Sequence, residues 1–328
     1  MSETPKIYFL GSGEIAIPIL ESLSNDNRIE LIGCGTQTDR PAGRKKQLTP
    51  TALGAFADSR GINAERIPSV NAPEFITRLR QSAPDIIMVV SFGQLLKEEL
   101  LELPRVACVN VHASLLPLYR GASPIISAIR DGVKTTGNTF MKMDKGLDTG
   151  GIYCRQHYTM TGNETAGELE MTLGKLAAKD AGDILLKIAS GEMTASPQDH
   201  DSATLTRKIR KSDGLIDWTM SAEKIAAAVR AYTPWPGVTF EVERNGSPVT
   251  VKLIETGINN ELSGQPGETM KADKNNWTIA CGKDALELLT VAPAGKNAMP
   301  GPAFLNGCPQ TTGTILKNLK HNKEILSK

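Results

Sequence analysis

A chain of 328 residues with 40 % hydrophobic and 22 % charged side chains has an ordinary globular composition, and its length favours two domains over one. A net charge of +1 supplies no global attraction to a polyanion, so any nucleic-acid contact must come from local clusters. The five cysteines (Cys34, Cys108, Cys154, Cys281 and Cys308) form no CxxC pair, and no apolar run approaches membrane-spanning length, which argues against a disulfide framework, a zinc site and a membrane protein and leaves the cytoplasm as the expected location.

Lys6–Leu10 reads as a strand ending at Gly11-Ser-Gly13, after which Ile15, Ile19, Leu20 and Leu23 recur at helical spacing. Apolar runs at Ile29–Cys34, Asp85–Val90 and Val106–Val111 are too short for helices. Helical patterns at Ala52–Arg60 and Pro73–Gln81 lie between them. Strands alternating with helices imply crossover connections and an α/β domain with a mostly parallel sheet. Thr165–Gly191 reads as one long helix, opened by a Thr165/Glu168 capping box and stopped by Gly191.

Ser196–Ser202 is polar and reads as connecting chain, followed by the basic run Arg207, Lys208, Arg210 and Lys211. A predicted helix at Ser221–Ala231 precedes Pro234-Trp-Pro-Gly237. Short alternating runs then follow at Val238–Val242, Val249–Glu255, Trp277–Cys281 and Leu286–Val291, the pattern of a small β-barrel or sandwich. The expected division is a first domain over 1–193, a linker over 194–212 and a β domain over 213–328. That last region holds twelve Lys/Arg against twelve Asp/Glu, so it is not basic overall.

Asn110 and His112 stand two apart at the end of a predicted strand, so their side chains share a face where the strand meets a loop. The carboxyl ends of strands form the ligand crevice of open α/β sheets, a good place for an amide donor and an imidazole. The same spacing also suits a hydrogen-bonded Asn and a buried His that merely finish a strand. Asp148, among glycines in Gly146-Leu-Asp-Thr-Gly-Gly151, can orient a histidine or accept a proton, or can hydrogen-bond its own turn. Gly11-Ser-Gly-Glu-Ile-Ala16 fits a loose dinucleotide fingerprint. The second predicted strand, however, ends Ile32-Gly-Cys-Gly-Thr36, without the ribose-binding acid that a nicotinamide enzyme needs. Asp39-Arg-Pro-Ala-Gly-Arg-Lys-Lys46 is a basic loop, fit either for phosphates or for plain solvation.

Taken together, Asn110-Val-His112, Ser114-Leu-Leu-Pro117, Arg120-Gly121 and Gly146-Leu-Asp148-Thr-Gly150 resemble the 10-formyltetrahydrofolate-dependent formyltransferases over nearly the whole chain. The 39–44 loop, Ile216-Asp-Trp218, Pro234-Trp-Pro236 and Pro293-Ala-Gly-Lys296 are similar to the branch that acts on initiator methionyl-tRNA. The resemblance implies a Rossmann-like catalytic domain and a small C-terminal OB-like β-barrel. It implies formyl transfer from 10-formyltetrahydrofolate by Asn110, His112 and Asp148 without a metal, in a monomer. By the same resemblance Ser114, Leu115, Leu116 and Pro117 line the folate site. Phe92, Gly93 and Leu95 stand on a loop that helps hold the pterin, while Arg40, Arg44, Lys45 and Lys46 meet tRNA. An amino-sugar or other small-amine formyltransferase is the alternative, and a non-catalytic folate- or RNA-binding module is the rival outside enzymes. Gly151, Asn138 and Tyr119 depart from the residues usual at their positions (Asp, Val and Trp).

Overall fold

A computed structural model describes residues 4–42 and 46–319. The chain divides into two units. One comprises Met1–Pro124, Thr135–Thr159 and Glu168–Thr206, and the other Ile125–Lys134, Met160–Gly167 and Arg207–Lys328.

The first unit opens with β1 (Lys6–Gly11), α1 (Ala16–Ser24), β2 (Glu30–Gln37) and a short antiparallel hairpin of β3 (Arg40–Ala42) and β4 (Gln47–Thr49). There follow α2 (Ala52–Arg60), β5 (Ala64–Ile67), α3 (Pro73–Ser82), β6 (Ile86–Val90), α4 (Glu98–Leu101), β7 (Ala107–His112) and β8 (Arg120–Gly121). After α5 (Pro124–Arg130), which from Ile125 onward belongs to the second unit, β9 (Thr135–Lys142) and β10 (Ile152–Thr159) extend the sheet of the first. The helix α6 (Ala166–Ala189) then returns before β11 (Leu205–Thr206) pairs with β8.

Local chemistry sets these boundaries. Thr51 caps α2 by accepting the Gly54 N–H at 3.0 Å, and Gly61, at φ 68°, ends it in the left-handed conformation. Pro73 sits at the start of α3, with Glu74 in its first turn and Arg80 in its last, matching the helix dipole. All five residues of β6 are buried, as a central parallel strand covered on both faces requires.

Seven strands form the main sheet in the order β10-β9-β7-β6-β1-β2-β5. The pairs from β7 through β5 are parallel, as expected, whereas β9 and β10 add an antiparallel edge that the sequence reading omits. The reason is chemical: β9 is buried at six successive positions yet reads Thr-Gly-Asn-Thr through its middle. Asn138 is fully buried there because its amide donates to the Leu173 carbonyl at 2.8 Å. The expected connector is likewise tied into this unit, with Ser196 bridging to Ile152 and Thr204 to Pro117 and Arg120.

The second unit carries α7 (Ala222–Ala231), capped by Ser221, and then β12 (Val238–Arg244), β13 (Ser247–Asn259), β14 (Thr269–Ala272), β15 (Trp277–Ala280), β16 (Ala285–Pro293), β17 (Met299–Pro300) and α8 (Gly301–Leu305). The strands build an antiparallel half-barrel in the order β12-β13-β16-β15-β14, with β17 on β16. Register shifts between β13 and β16 around Glu255 bend the sheet, as bulges do. Its core is a chain of rings. Trp218 meets Phe240 edge-on at 5.7 Å, Phe240 meets Trp277 at 5.6 Å, and Trp277 stacks on Phe304 at 5.4 Å. Among the described residues, no helix is long and apolar enough to cross a membrane.

Candidate active site

β7 lies inside the sheet, between β6 and β9, and its last residues supply the first two groups of the site. Asn110 sits opposite Val89 on one side and Met141 on the other, and His112 opposite Thr139. Two-residue periodicity puts both side chains on one face at the carboxyl end of the strand. His112 is buried and Asn110 half-buried.

The chain beyond His112 is folded back by hydrogen bonds of its own. Ser114 Oγ donates to the Leu118 carbonyl at 2.6 Å. Thr139 Oγ1 donates to the Ser114 carbonyl at 2.6 Å and accepts the Leu116 N–H at 3.0 Å. Leu116 packs with Met141 and Ile152. This fold-back brings the Tyr119 carbonyl to 2.9 Å from His112 Nε2. A carbonyl only accepts, so Nε2 carries the proton and Nδ1 is the nitrogen left to face the third group.

That group is Asp148. Asp144 Oδ1 builds the turn before it, accepting the Gly146 N–H at 3.0 Å and the Thr149 hydroxyl at 2.7 Å. Asp148 itself is left-handed, at φ 54°, a conformation that Asp tolerates better than most residues and that costs about 1 kcal/mol. Its Oδ2 accepts the Gly121 N–H at 2.8 Å and stands 3.7 Å from His112 Nδ1. The separation is in ion-pair range but longer than a hydrogen bond. The two side chains are 7 % and 17 % exposed, so water screens them little. Gly121 must be glycine: at φ 108°, an added Cβ would lie 2.3 Å from the Thr206 carbonyl.

The remaining predicted residues separate by exposure. Phe92, Ser114 and Leu116 are buried, Phe92 in the main core with Phe75 and Leu79. Gly93 and Leu95 are exposed, and Leu115 and Pro117 are half-buried. Leu95, Leu118 and Leu147, on the loops after β6, β7 and β9, are exposed. Arg40 is exposed on β3 and donates to Gln37, and Lys46 is exposed, whereas Arg44 and Lys45 lie outside the described residues. Gly11 and Gly13 are close-approach positions. A Cβ on Gly11 would meet Ala16 and Phe9 at 2.8 Å, and one on Gly13 would meet Ser91 Oγ at 2.6 Å.

Sequence reasoning passed over Glu170 and Gln198. Glu170 on α6 accepts the Ile15 N–H at 3.3 Å beside the start of α1. Burial pushes its carboxyl above the usual range, against that hydrogen bond and with the charge of Glu14 adding to the rise. Gln198 is buried and donates to the carbonyls of Asp148 and Gly150. A buried polar residue inside a polar stretch gives no periodic signal.

Residues 5–185 match the family described as Formyl transferase, and 208–309 match the Formyl transferase, C-terminal domain. The chain belongs to the formyl transferase family. Among its relatives is the Methionyl-tRNA formyltransferase of Geobacter metallireducens, 36 % identical over 310 residues, which span 94 % of this chain and 98 % of the relative. The Methionyl-tRNA formyltransferase of Syntrophomonas wolfei is 36 % identical over 313 residues, 95 % of this chain and 98 % of the relative. HypX from Aquifex aeolicus, solved in complex with tetrahydrofolic acid, shares the fold with a TM-score of 0.63 at 15 % identity over 96 % of this chain and 51 % of its own. WlaRD, a sugar 3N-formyl transferase, does so with a TM-score of 0.61 at 19 % identity over 90 % of this chain and all of its own. Formyl transfer calls for a donor to developing negative charge and for a proton carrier, chemistry that an amide, an imidazole and a carboxylate can supply.

Proposed function

We propose that the chain transfers the formyl group of 10-formyltetrahydrofolate to the amino group of methionine on initiator methionyl-tRNA, with Asn110, His112 and Asp148 as the catalytic set. The observation that carries the assignment of roles is the Asp148 carboxylate, 3.7 Å from the inner nitrogen of His112, with Asn110 two residues back on the same face of β7. Relatives that bear the methionyl-tRNA name along nearly their whole length support the acceptor. The solved neighbours with tetrahydrofolic acid and 5-N-formyl-THF support the donor class.

Attack of the methionyl amine on the formyl carbon builds negative charge on the formyl oxygen. The Asn110 amide donates to that oxygen, a contribution of roughly 3–4 kcal/mol for a positioned donor. The amine must lose a proton and N10 must gain one as its bond to the formyl carbon breaks. The His112–Asp148 pair carries that proton through Nδ1, while the Tyr119 carbonyl holds Nε2 and fixes the ring. Gly93, Leu95, Leu115 and Pro117 hold the folate with surface they leave open, while Phe92, Ser114 and Leu116 shape the loops from within.

In this reading 1–193 is the catalytic domain, 194–212 the linker and 213–328 the OB-like domain of a cytoplasmic monomer. Arg40, Arg44, Lys45 and Lys46 meet tRNA phosphates. The test is to incubate the protein with 10-formyltetrahydrofolate and methionyl-initiator-tRNA, with an amino-sugar nucleotide as parallel acceptor, and to follow formyl-methionyl-tRNA by acid-gel shift. Formylated tRNA is expected, and His112→Ala should slow its formation at least about 100-fold. Formylation of the sugar alone would overturn the acceptor. A near-normal His112→Ala rate would overturn the proton carrier.

A further inference from the structure

We infer that Gln198, backed by Arg120, is a positioning residue that holds Asp148 at its working distance from His112. The inference rests on the reading of Asp148 as His112's catalytic partner. Gln198 lies in the polar stretch after α6, yet it is only 6 % exposed. Its amide nitrogen donates to the Asp148 carbonyl at 2.8 Å and to the Gly150 carbonyl at 2.7 Å. Its amide oxygen accepts from Arg120 Nε at 3.1 Å and Nη2 at 2.7 Å. Both donors and both lone pairs of the amide are therefore used.

Arg120 is itself fixed. Its side chain is buried, its N–H donates to the Thr204 carbonyl at 2.9 Å, and its carbonyl accepts the Thr206 hydroxyl at 3.0 Å. Its Nη2 also donates to His200 Nδ1 at 3.1 Å, so its partners are a neutral amide and an imidazole rather than a carboxylate. Arg120 thus anchors Gln198 without drawing on the Asp148 carboxylate, which stays directed at Gly121 and His112. Gln198 in turn fixes the main chain at Asp148 and again two residues on, around a left-handed residue that a loop would otherwise release.

Only a side chain of this length with two donors and an acceptor can do both jobs. Gln198→Glu keeps the length and pairs ionically with Arg120, but it turns acceptors toward the Asp148 and Gly150 carbonyls. Gln198→Met keeps the length and drops every bond. The experiment is a double-mutant cycle of Gln198→Glu with Asp148→Asn, read as kcat and as KM for folate and tRNA, on proteins shown by thermal unfolding to be folded. Gln198→Glu is expected to lower kcat roughly 100-fold, the scale of a misplacement of about 1 Å, with KM little changed. The double variant is expected to be no slower than Asp148→Asn alone. A Gln198→Glu kcat within about threefold of normal, a loss confined to KM, or full additivity with Asp148→Asn would each overturn the proposal. Should Gln198→Glu fail to fold, Gln198→Met takes its place in the same cycle with the same criteria. An Asp148→Asn variant of normal kcat would instead overturn the role of Asp148 itself, whereas a slow Asp148→Asn beside a normal Gln198→Glu removes only the positioning role.

Discussion

Asp148→Asn separates charge from shape at the site. Asn tolerates the left-handed conformation that Asp148 adopts at φ 54°, and its side-chain oxygen can still accept the Gly121 N–H. The main-chain carbonyl held by Gln198 is untouched. What disappears is a negative charge 3.7 Å from His112 Nδ1. At that separation an effective dielectric of about 20 gives an attraction of about 4.5 kcal/mol to a protonated imidazole, before any loss to residual solvent screening. Each tenfold in rate is about 1.4 kcal/mol, so kcat should fall by as much as roughly 1,000-fold. Both groups are less than a fifth exposed, so the loss should be nearly independent of salt between low and physiological ionic strength. The assay is single-turnover formyl transfer to methionyl-tRNA, with thermal unfolding alongside. A rate within about tenfold of wild type at an unchanged Tm would refute the electrostatic role. A rate loss that tracks a collapse in Tm would assign Asp148 to the fold instead.

Asn110→Ala should cost roughly 100- to 1,000-fold in kcat with the folate KM little changed, since in the proposed mechanism the amide acts on charge that develops only in the transition state; equal losses in kcat and folate affinity would contradict that. Glu170→Gln keeps an acceptor for the Ile15 N–H and removes a carboxyl that burial holds above its usual range. A raised folded pKa stabilises the fold below the unfolded value of about 4.3, and this contribution is lost as pH rises through the folded value. Wild-type Tm should therefore decline relative to Glu170→Gln from about pH 4 upward, and parallel Tm profiles for the two proteins would sink the assignment.

The parts of the fold legible in the sequence are those in which side-chain polarity and burial agree. Ile86–Val90 is β-branched or apolar throughout and buried throughout, and Ala52–Arg60 is flanked by its cap Thr51 and its stop Gly61. Pro73–Ser82 likewise announces its start with proline. Strand β9 is hidden because three of its six buried positions are polar, and a buried polar side chain is acceptable only with a partner that the sequence does not display. Asn138 needs the Leu173 carbonyl 35 residues on, and Thr139 needs the Ser114 carbonyl 25 residues back. The departures from family usage follow the same logic. At Tyr119 the site uses the main-chain carbonyl, which any residue supplies. At Gly151 a Cβ would press on Ala195 and Ser196 of the returning chain at 3.0 to 3.1 Å.

The site divides along the same line. Asn110 and His112 belong to one strand, so period two alone puts them on one face, and that much can be read without coordinates. The distance between His112 and Asp148 is set by contacts that no local pattern encodes. The Gly121 N–H reaches Asp148 across 27 residues and the Gln198 amide across 50, and the loop they hold is left-handed at the residue that matters. A composition that says connector for Ser196–Ser202 is correct about its polarity and silent about its use. A buried amide with four hydrogen bonds is as polar as a solvated one, and only the returning chain distinguishes them. Asp148 is therefore placed by a polar stretch of this unit, and in the proposed mechanism substitutions there should move kcat before they move Tm.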